Sequence, residues 1–139
     1  MLRVATALGL KKVQVIEQLT EKNLLKDFFE ELAGGHPRGD LEGRAARLGC
    51  NLGLPHVVVI AEPAADALER ALRSAAPGSL FDRREDSLRA LVRLPTANAD
   101  PFLERLRRIH AELSEPVGIG VSSVCQGEET FSDGFTEAQ

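Results

Sequence analysis

Carboxylates are the side chains of this sequence best suited to hold a divalent metal ion, and they stand at two places. Glu62 follows an apolar run, and Glu85 and Asp86 lie in a polar segment between two apolar ones. A convergent set of carboxylates can bind Mg²⁺ and position a triphosphate. Two neighbours, Arg83 and Arg84, would oppose cation binding there. A solvated acidic turn is the simpler interpretation, and the sequence predicts no metal site.

Histidine and cysteine offer no second reactive site. The three histidines have no metal-ligand spacing, and the two cysteines are too far apart in the chain to form a ligand set. A Gly-x-Gly at residues 118–120 falls within an apolar run, where it favours close helix packing over phosphate binding. We therefore predict no catalytic residue, metal or cofactor, and two reduced thiols. The residues concerned are His36, His56, His110, Cys50 and Cys125.

Four arginines are the best candidates for binding a ligand. Arg83, Arg84, Arg89 and Arg93 lie on or near one predicted hairpin. A cluster of guanidinium groups can bind a small anion or an acidic partner surface. The alternative is a solvated charged edge that discourages the sheet from pairing with other chains.

Composition narrows the class of protein. The 139 residues carry a formal net charge of −4, and there is no Trp or Tyr. A domain that grips nucleic acid usually presents a basic face or aromatic stacking platforms. No signal peptide begins the chain and no apolar stretch approaches a membrane span. We predict a cytoplasmic protein that contacts neither a membrane nor, through these residues, DNA.

The elements that must position these side chains follow in the order β-α-β-β-α-β. A continuous β-branched run is typical of a strand buried on both faces. The following segments predict a hairpin whose second strand, residues 87–94, alternates apolar and polar positions. This order predicts an α+β domain with a ferredoxin-like antiparallel sheet, helices on one face and the other face available. The predicted strands are residues 56–61, 79–82, 87–94 and 117–124, and the helices are residues 64–75 and 101–113.

A long amphipathic helix is predicted over residues 4–32, ahead of this domain. Its apolar residues recur at steps of three and four and form one stripe. Gly34 and Gly35 end it. The stripe packs either on its own domain or against a second copy, and we favour the dimer, with Ile16, Leu19, Leu25 and Phe28 in the interface.

Two units are therefore expected. Residues 1–35 form a linker or dimerisation arm, and residues 36–139 form the α+β domain, in which residues 41–48 are a short helix. Phe131, Phe135 and Ala138 recur at helical spacing at the end of the sequence. The chain stops inside this helix, which suggests a fragment of a larger protein.

An ordered set of segments resembles a known bacterial family. Residues 44–63 (RAARLGCNLGLPHVVVIAEP), the hairpin, residues 115–123 (EPVGIGVSS) and residues 131–139 (FSDGFTEAQ) resemble the GGDEF-like domain of sugar-diacid and purine-catabolism regulators, the CdaR and PucR type. The resemblance covers residues 24–139. It implies the regulatory middle domain of a transcription factor, a homodimer that contacts DNA only through a helix-turn-helix absent from this chain.

The resemblance also raises an alternative, because diguanylate cyclases share this fold. Those enzymes place an Asp at the end of the first strand and an acidic pair in the hairpin. Ala61 stands here at the expected Asp position, and the hairpin lacks the Gly-Gly that lets nucleotide approach. A non-enzymatic regulatory domain is therefore expected. A degenerate or active nucleotide cyclase, and a sensor of small anions, are the alternatives.

Overall fold

The computed structural model describes residues 24–34, 41–127 and 130–139. Ile16, Leu19, His36 and most of the predicted N-terminal helix lie outside these residues. Residues 24–34 are helical and form α1. The remaining elements are α2 (Leu41–Arg47), β1 (His56–Glu62), α3 (Asp66–Ala75), β2 (Leu80–Arg84), β3 (Ser87–Arg93), α4 (Asp100–Glu112), β4 (Gly118–Val121) and α5 (Phe131–Ala138).

The four strands form one antiparallel sheet in the order β2-β3-β1-β4. In the register, Asp82 lies opposite Arg89, and Val58 lies opposite Leu91. Each β-α-β segment skips one strand position, which is how a ferredoxin-like sheet places its first and third strands side by side. The predicted fold class is therefore confirmed.

Helices α3 and α4 cover one face of the sheet. Alternate residues of the strands, among them Val57, Leu88 and Val92, point into this layer and are fully buried. They meet Leu68 of α3 and Leu106 of α4. The period of two in the strands and the apolar stripe on each helix make this layer predictable from the sequence.

The opposite face is covered as well, which corrects the prediction that it is available. Helices α1, α2 and α5 pack on it, with Phe28, Phe29, Phe131 and Phe135 among the largest fully buried side chains of the described residues. Burying each phenyl ring contributes about 1.5–3 kcal/mol relative to exposing it. This layer joins residues from both ends of the chain, so no local pattern showed where the aromatic side chains would pack.

Three element boundaries differ from the sequence prediction by two residues or more. Strand β2 ends at Arg84 rather than at residue 82, which leaves a turn of two residues. Helix α3 begins at Asp66 rather than at residue 64, because Ala65 has an extended backbone (φ −125°, ψ 125°) and the Ala64 N–H donates to the Asp86 carbonyl of the hairpin. Strand β4 ends at Val121, since the Ser122 hydroxyl accepts the hydrogen bond from the Val58 N–H and interrupts the ladder. Pairing resumes at one bridge between Cys125 and His56.

Candidate functional site

A cleft of about 760 Å³ opens at the edge of the sheet where β1 ends, beside the turn between β2 and β3. Its walls come from the hairpin on one side and from β4 and α5 on the other, with the end of α1 closing one corner. Volumes of this order are typical of small-molecule sites. The lining residues are Ala33, Ile60, Glu62, Arg84, Glu85, Ser87, Arg89, Gly118, Ile119, Gly120, Phe135, Ala138 and Gln139.

Arg89 forms the buried cationic wall of the cleft. It is only 5% exposed, one of its terminal nitrogens donates to Asp82, and its guanidinium lies over the Phe29 ring at 5.4 Å from the centroid. Its Nε is buried without a hydrogen-bond partner among the described residues. A guanidinium has five N–H donors, so within the described ranges the Asp82 pair uses only part of its hydrogen-bonding capacity.

Arg84 supplies a second guanidinium to the same cleft. It is exposed at the end of β2, and it has no ion-pair partner within the described ranges. The Ser87 hydroxyl donates to the Arg84 carbonyl at 3.0 Å across the turn, which fixes the backbone but leaves the side chain to solvent. Arg84 and Arg89 are therefore the two predicted ligand-binding arginines that the fold brings together.

Two carboxylates face the same space. Glu62 is the last residue of β1, and Glu85 is the first residue of the two-residue turn. Glu85 has a φ of 55°, in the left-handed region that a side chain with a Cβ adopts at a cost of about 1–2 kcal/mol. The turn thus holds a carboxylate over the cleft in a backbone conformation that would suit glycine better.

The other two predicted arginines lie elsewhere. Arg83 points to the opposite side of β2, where it pairs with Asp66 and Glu69 of α3. The hydrogen bond from Arg83 lowers the pKa of the Asp66 carboxyl, and the same bond raises the pKa of Arg83. Arg93 lies opposite His56, four residues or about 13 Å along β3 from Arg89. The structure thus brings Arg84 and Arg89 to one cleft, whereas Arg83 points to the opposite face of the sheet and Arg93 lies further along β3.

The positions considered for metal binding also lie on different faces of the sheet. Ala61, at the expected cyclase Asp position, is fully buried under α3 and α4. Its neighbour Glu62 faces the cleft. No group of three or more His, Cys, Asp or Glu side chains among residues 24–34, 41–127 and 130–139 is placed to hold a metal ion.

A buried polar cluster that the sequence did not reveal lies at the other end of β1. His56 is fully buried, its Nδ1–H donates to the Leu54 carbonyl at 2.7 Å, and the Cys50 sulfur lies 3.7 Å from its Nε2. Burial lowers the pKa of His56, and it raises the pKa of Cys50 to about 11. Burial also raises the pKa of Cys125. Both thiols stay protonated and are poor nucleophiles.

One feature of the sequence is consistent with the burial of His56, although it does not predict the cluster. A histidine that opens an apolar strand, six residues after a cysteine, occupies a core-facing position of that strand. Spacing alone did not distinguish a buried hydrogen-bonded histidine from an isolated one, because the intervening loop sets the contact.

The predicted dimer residues that the structure describes pack within the chain itself. Phe28 is buried in the core beneath α1, and Leu25 packs against that core. Their contacts follow the alternative of packing on their own domain. Leu24, by contrast, is 53% exposed, the one large apolar side chain in the described part of the chain to be so.

No helix among the described residues is long and apolar enough to cross a membrane.

Comparison with known proteins identifies the family. No curated protein matches the sequence. The sequence model of the GGDEF-like domain matches residues 33–139, from the end of α1 through β1–β4 to α5. That match covers more than half of the sequence and includes every wall of the cleft, so the chain belongs to the GGDEF-like domain family.

Proposed function

We propose that this GGDEF-like domain is a non-catalytic regulatory unit of a bacterial transcriptional regulator, and that it relays a signal between α1 and α5. The contact between these two helices carries the proposal. Phe29 of α1 and Phe135 of α5 meet edge to face, with ring centroids 6.0 Å apart. Such pairs contribute about 0.5–1.5 kcal/mol beyond their buried area. A shift of one helix therefore changes the packing of the other.

Close packing of α5 on the sheet supports this relay. A Cβ at Gly120 would overlap the Ala138 carbonyl, and a Cβ at Gly134 would lie 2.5 Å from the Cys125 sulfur. Glu137 also accepts hydrogen bonds from the Ser123 N–H at 3.2 Å and from its hydroxyl at 3.0 Å. Closely packed interfaces switch between discrete arrangements rather than deforming continuously.

The non-catalytic part of the proposal rests on the ends of β1 and β2. The first strand supplies a buried Ala61 where a cyclase has its metal-binding Asp, and two arginines of the hairpin flank the acidic turn. Incubating the purified chain with GTP or ATP and Mg²⁺ or Mn²⁺, followed by chromatography, tests this. We expect no cyclic product. A cyclic product that disappears in the Glu85→Ala variant would establish the alternative, an active cyclase.

The relay is tested by comparing two truncations on opposite faces of the sheet. Phe29→Ala removes the ring that contacts α5, whereas Leu68→Ala removes a fully buried side chain beneath α3. Both lower the free energy of unfolding by about 2–5 kcal/mol. Hydrogen exchange then separates them: we expect faster local exchange in α5 for Phe29→Ala only. Equal exchange in α5 for the two variants would contradict the relay.

A homodimer is the second part of the proposed function. Leu24 belongs to the apolar stripe predicted for the arm, together with Ile16 and Leu19, and its 53% exposed side chain is left for a second copy to cover. Light scattering on the chain with and without residues 1–23 tests the assembly. We expect a dimer only when those residues are present, and a monomer at high micromolar concentration in both proteins would contradict it.

The regulatory role itself is tested in the whole gene product. In this proposal DNA is contacted by a helix-turn-helix outside this chain. We expect Phe29→Ala in the whole gene product to change expression of a reporter gene, and unchanged expression would contradict the relay. A gene that encodes no DNA-binding segment would contradict the transcriptional role.

A further inference from the structure

We infer that the cleft at the end of β1 binds a small zwitterion of the amino-acid class, with its carboxylate at Arg84 and Arg89 and its ammonium at Glu62 and Glu85. This binding stands on the cleft itself and does not require the proposed relay. Only its regulatory consequence, described below, rests on the proposed function.

The cationic half of the site is already built into the fold. Arg89 is held by Asp82 and by the Phe29 ring, so its guanidinium is fixed before any ligand arrives. Its Nε is a buried donor with no partner among the described residues, a condition that costs free energy unless something satisfies the group. Arg84 stands across the same space with an unpaired guanidinium in the described ranges. Two guanidinium groups that line one cleft are suited to a carboxylate.

The anionic half decides which class of ligand fits. Glu62 and Glu85 line the same cleft, so its walls carry two cations and two anions. Asp82 behind Arg89 adds a further negative charge. A triphosphate or a simple polyanion would face these carboxylates unfavourably, whereas a zwitterion matches both signs. The sequence-based hypothesis of a small-anion site is thereby sharpened to a ligand that also carries a positive group.

The floor of the cleft selects the rest of the ligand. Ile60 and Phe135 line it, and Gly118 and Gly120 leave the β4 backbone without side chains at this point, since the Ile119 side chain packs on the α3–α4 face. An apolar side chain would cover these surfaces and exclude water from the charged contacts. The cleft therefore points to an amino acid with an apolar side chain.

The position of the cleft gives binding a consequence for the domain. Ala33 belongs to α1, and Phe135 and Ala138 belong to α5, so a bound ligand would contact both helices of the relay. If the proposed function holds, occupancy stabilises the packed position of α5 and slows its hydrogen exchange.

Calorimetric titration of the full chain with matched probes tests the binding. The probes are L-leucine and the other apolar amino acids, 4-methylpentanoate as the carboxylate alone, and isopentylamine as the amine alone. We expect saturable binding of at least one apolar amino acid, with both single-charge analogues at least tenfold weaker, since a hydrogen bond to a charged group contributes about 1.5–3 kcal/mol. Absence of binding by every apolar amino acid at about 10 mM, or equal binding of the carboxylate alone, would overturn the proposal.

Variants on the cleft walls locate the site. Arg84→Gln and Glu62→Gln change exposed side chains, so they leave folding intact, and each is expected to weaken binding at least tenfold. Arg105→Gln and Glu104→Gln, exposed on α4 on the other side of the sheet, are the matched controls and should bind normally. Binding unaffected by both cleft variants would overturn the assignment.

Hydrogen exchange separates the failure of binding from that of the relay. If an amino acid binds but hydrogen exchange in α5 stays unchanged, the binding site is supported and its link to the proposed function is contradicted. If calorimetry detects no binding, the proposed site is contradicted. The relay is still tested separately by the comparison of Phe29→Ala with Leu68→Ala.

Discussion

The two faces of the sheet are built from different chemistry. The face under α3 and α4 buries apolar side chains from segments that lie between residues 57 and 117. The face under α1, α2 and α5 buries all three of the polar or charged residues that are buried in the described chain, namely His56, Arg89 and Ser122, together with both cysteines. It also joins residues from near both ends of the sequence.

This difference indicates where stability and function lie. An apolar layer is tolerant, because many side-chain combinations of the right volume fill it. A layer with buried charges and hydrogen bonds depends on specific partners, since removing one partner leaves the other unsatisfied. The cleft opens at the edge of the second face and shares Arg89 and Phe135 with it. We therefore expect single substitutions on the polar face to lower the free energy of unfolding more than substitutions elsewhere, and the following predictions test this.

The largest effect is expected from Arg89. Replacing it in Arg89→Ala leaves the Asp82 carboxylate, whose side chain is only 8% exposed, without its buried partner. We expect the free energy of unfolding in urea to fall by about 3–5 kcal/mol. Arg83→Ala is the matched control, because Arg83 lies on the same hairpin and pairs with Asp66 and Glu69 in solvent, where little change is expected. Similar losses of unfolding free energy in the two variants would contradict the greater sensitivity expected of the polar face.

A smaller effect is expected from the glycines of β4. Gly120→Ala places a methyl group against the Ala138 backbone and forces α5 away from the sheet, for which we expect a loss of about 1–3 kcal/mol. Gly118→Ala is the control, since its Cβ would lie 3.6 Å from the Glu62 carbonyl in ordinary contact. Thermal unfolding measures both. An unchanged Gly120→Ala protein would show that α5 packs less closely than described.

The polar face should also respond to acid through His56. Burial lowers its pKa, so the unfolded chain binds a proton that the folded chain does not. The free energy of unfolding therefore falls as the pH drops below about 6.5, by at most about 1.4 kcal/mol per pH unit for this one group. His56→Gln should show a shallower loss between pH 7.5 and pH 5.5 in urea titrations. Parallel profiles for the two proteins would contradict a neutral buried His56.

The smallest effect has the opposite sign. Glu85→Gly relieves the left-handed backbone at the turn, and we expect the domain to gain about 1 kcal/mol. The same variant removes a carboxylate from the cleft, so the proposed amino-acid binding should weaken. Asp86→Gly, in the same turn without a positive φ, is the control and should not stabilise the domain. A Glu85→Gly protein that gains no stability would contradict strain at Glu85.

The sequence alone predicted the sheet and the α3–α4 layer well. The β-branched run at residues 56–61 and the alternation from Leu88 to Leu94 identify strands whatever surrounds them. The helical recurrence of Phe131, Phe135 and Ala138 likewise predicted α5. Boundaries shifted at β2, which continues to Arg84, at α3, where Ala65 has an extended backbone, and at β4, where the Ser122 hydroxyl accepts from the Val58 N–H.

The candidate site was predicted only in part. All four predicted arginines lie on the hairpin, but only Arg84 and Arg89 line the cleft. Proximity in the sequence does not indicate which way each side chain points or how far apart the side chains lie along the strand. Glu62 and Glu85 were considered as metal ligands, yet the fold places them beside two guanidinium groups. The sequence could not show that these charges of both signs share one cleft.

Local pattern determined which segments of this protein are strands and helices, their order, and membership of an α+β fold, because the period of apolar residues is a property of neighbouring positions. Tertiary structure decided that α1 and α5 cover the second face, that Phe29 meets Phe135, and that Arg89 is buried against Asp82. Those contacts join residues separated by a hairpin or by most of the chain. Their partners are fixed by the shape of the folded sheet, and the cleft exists only where those distant segments meet.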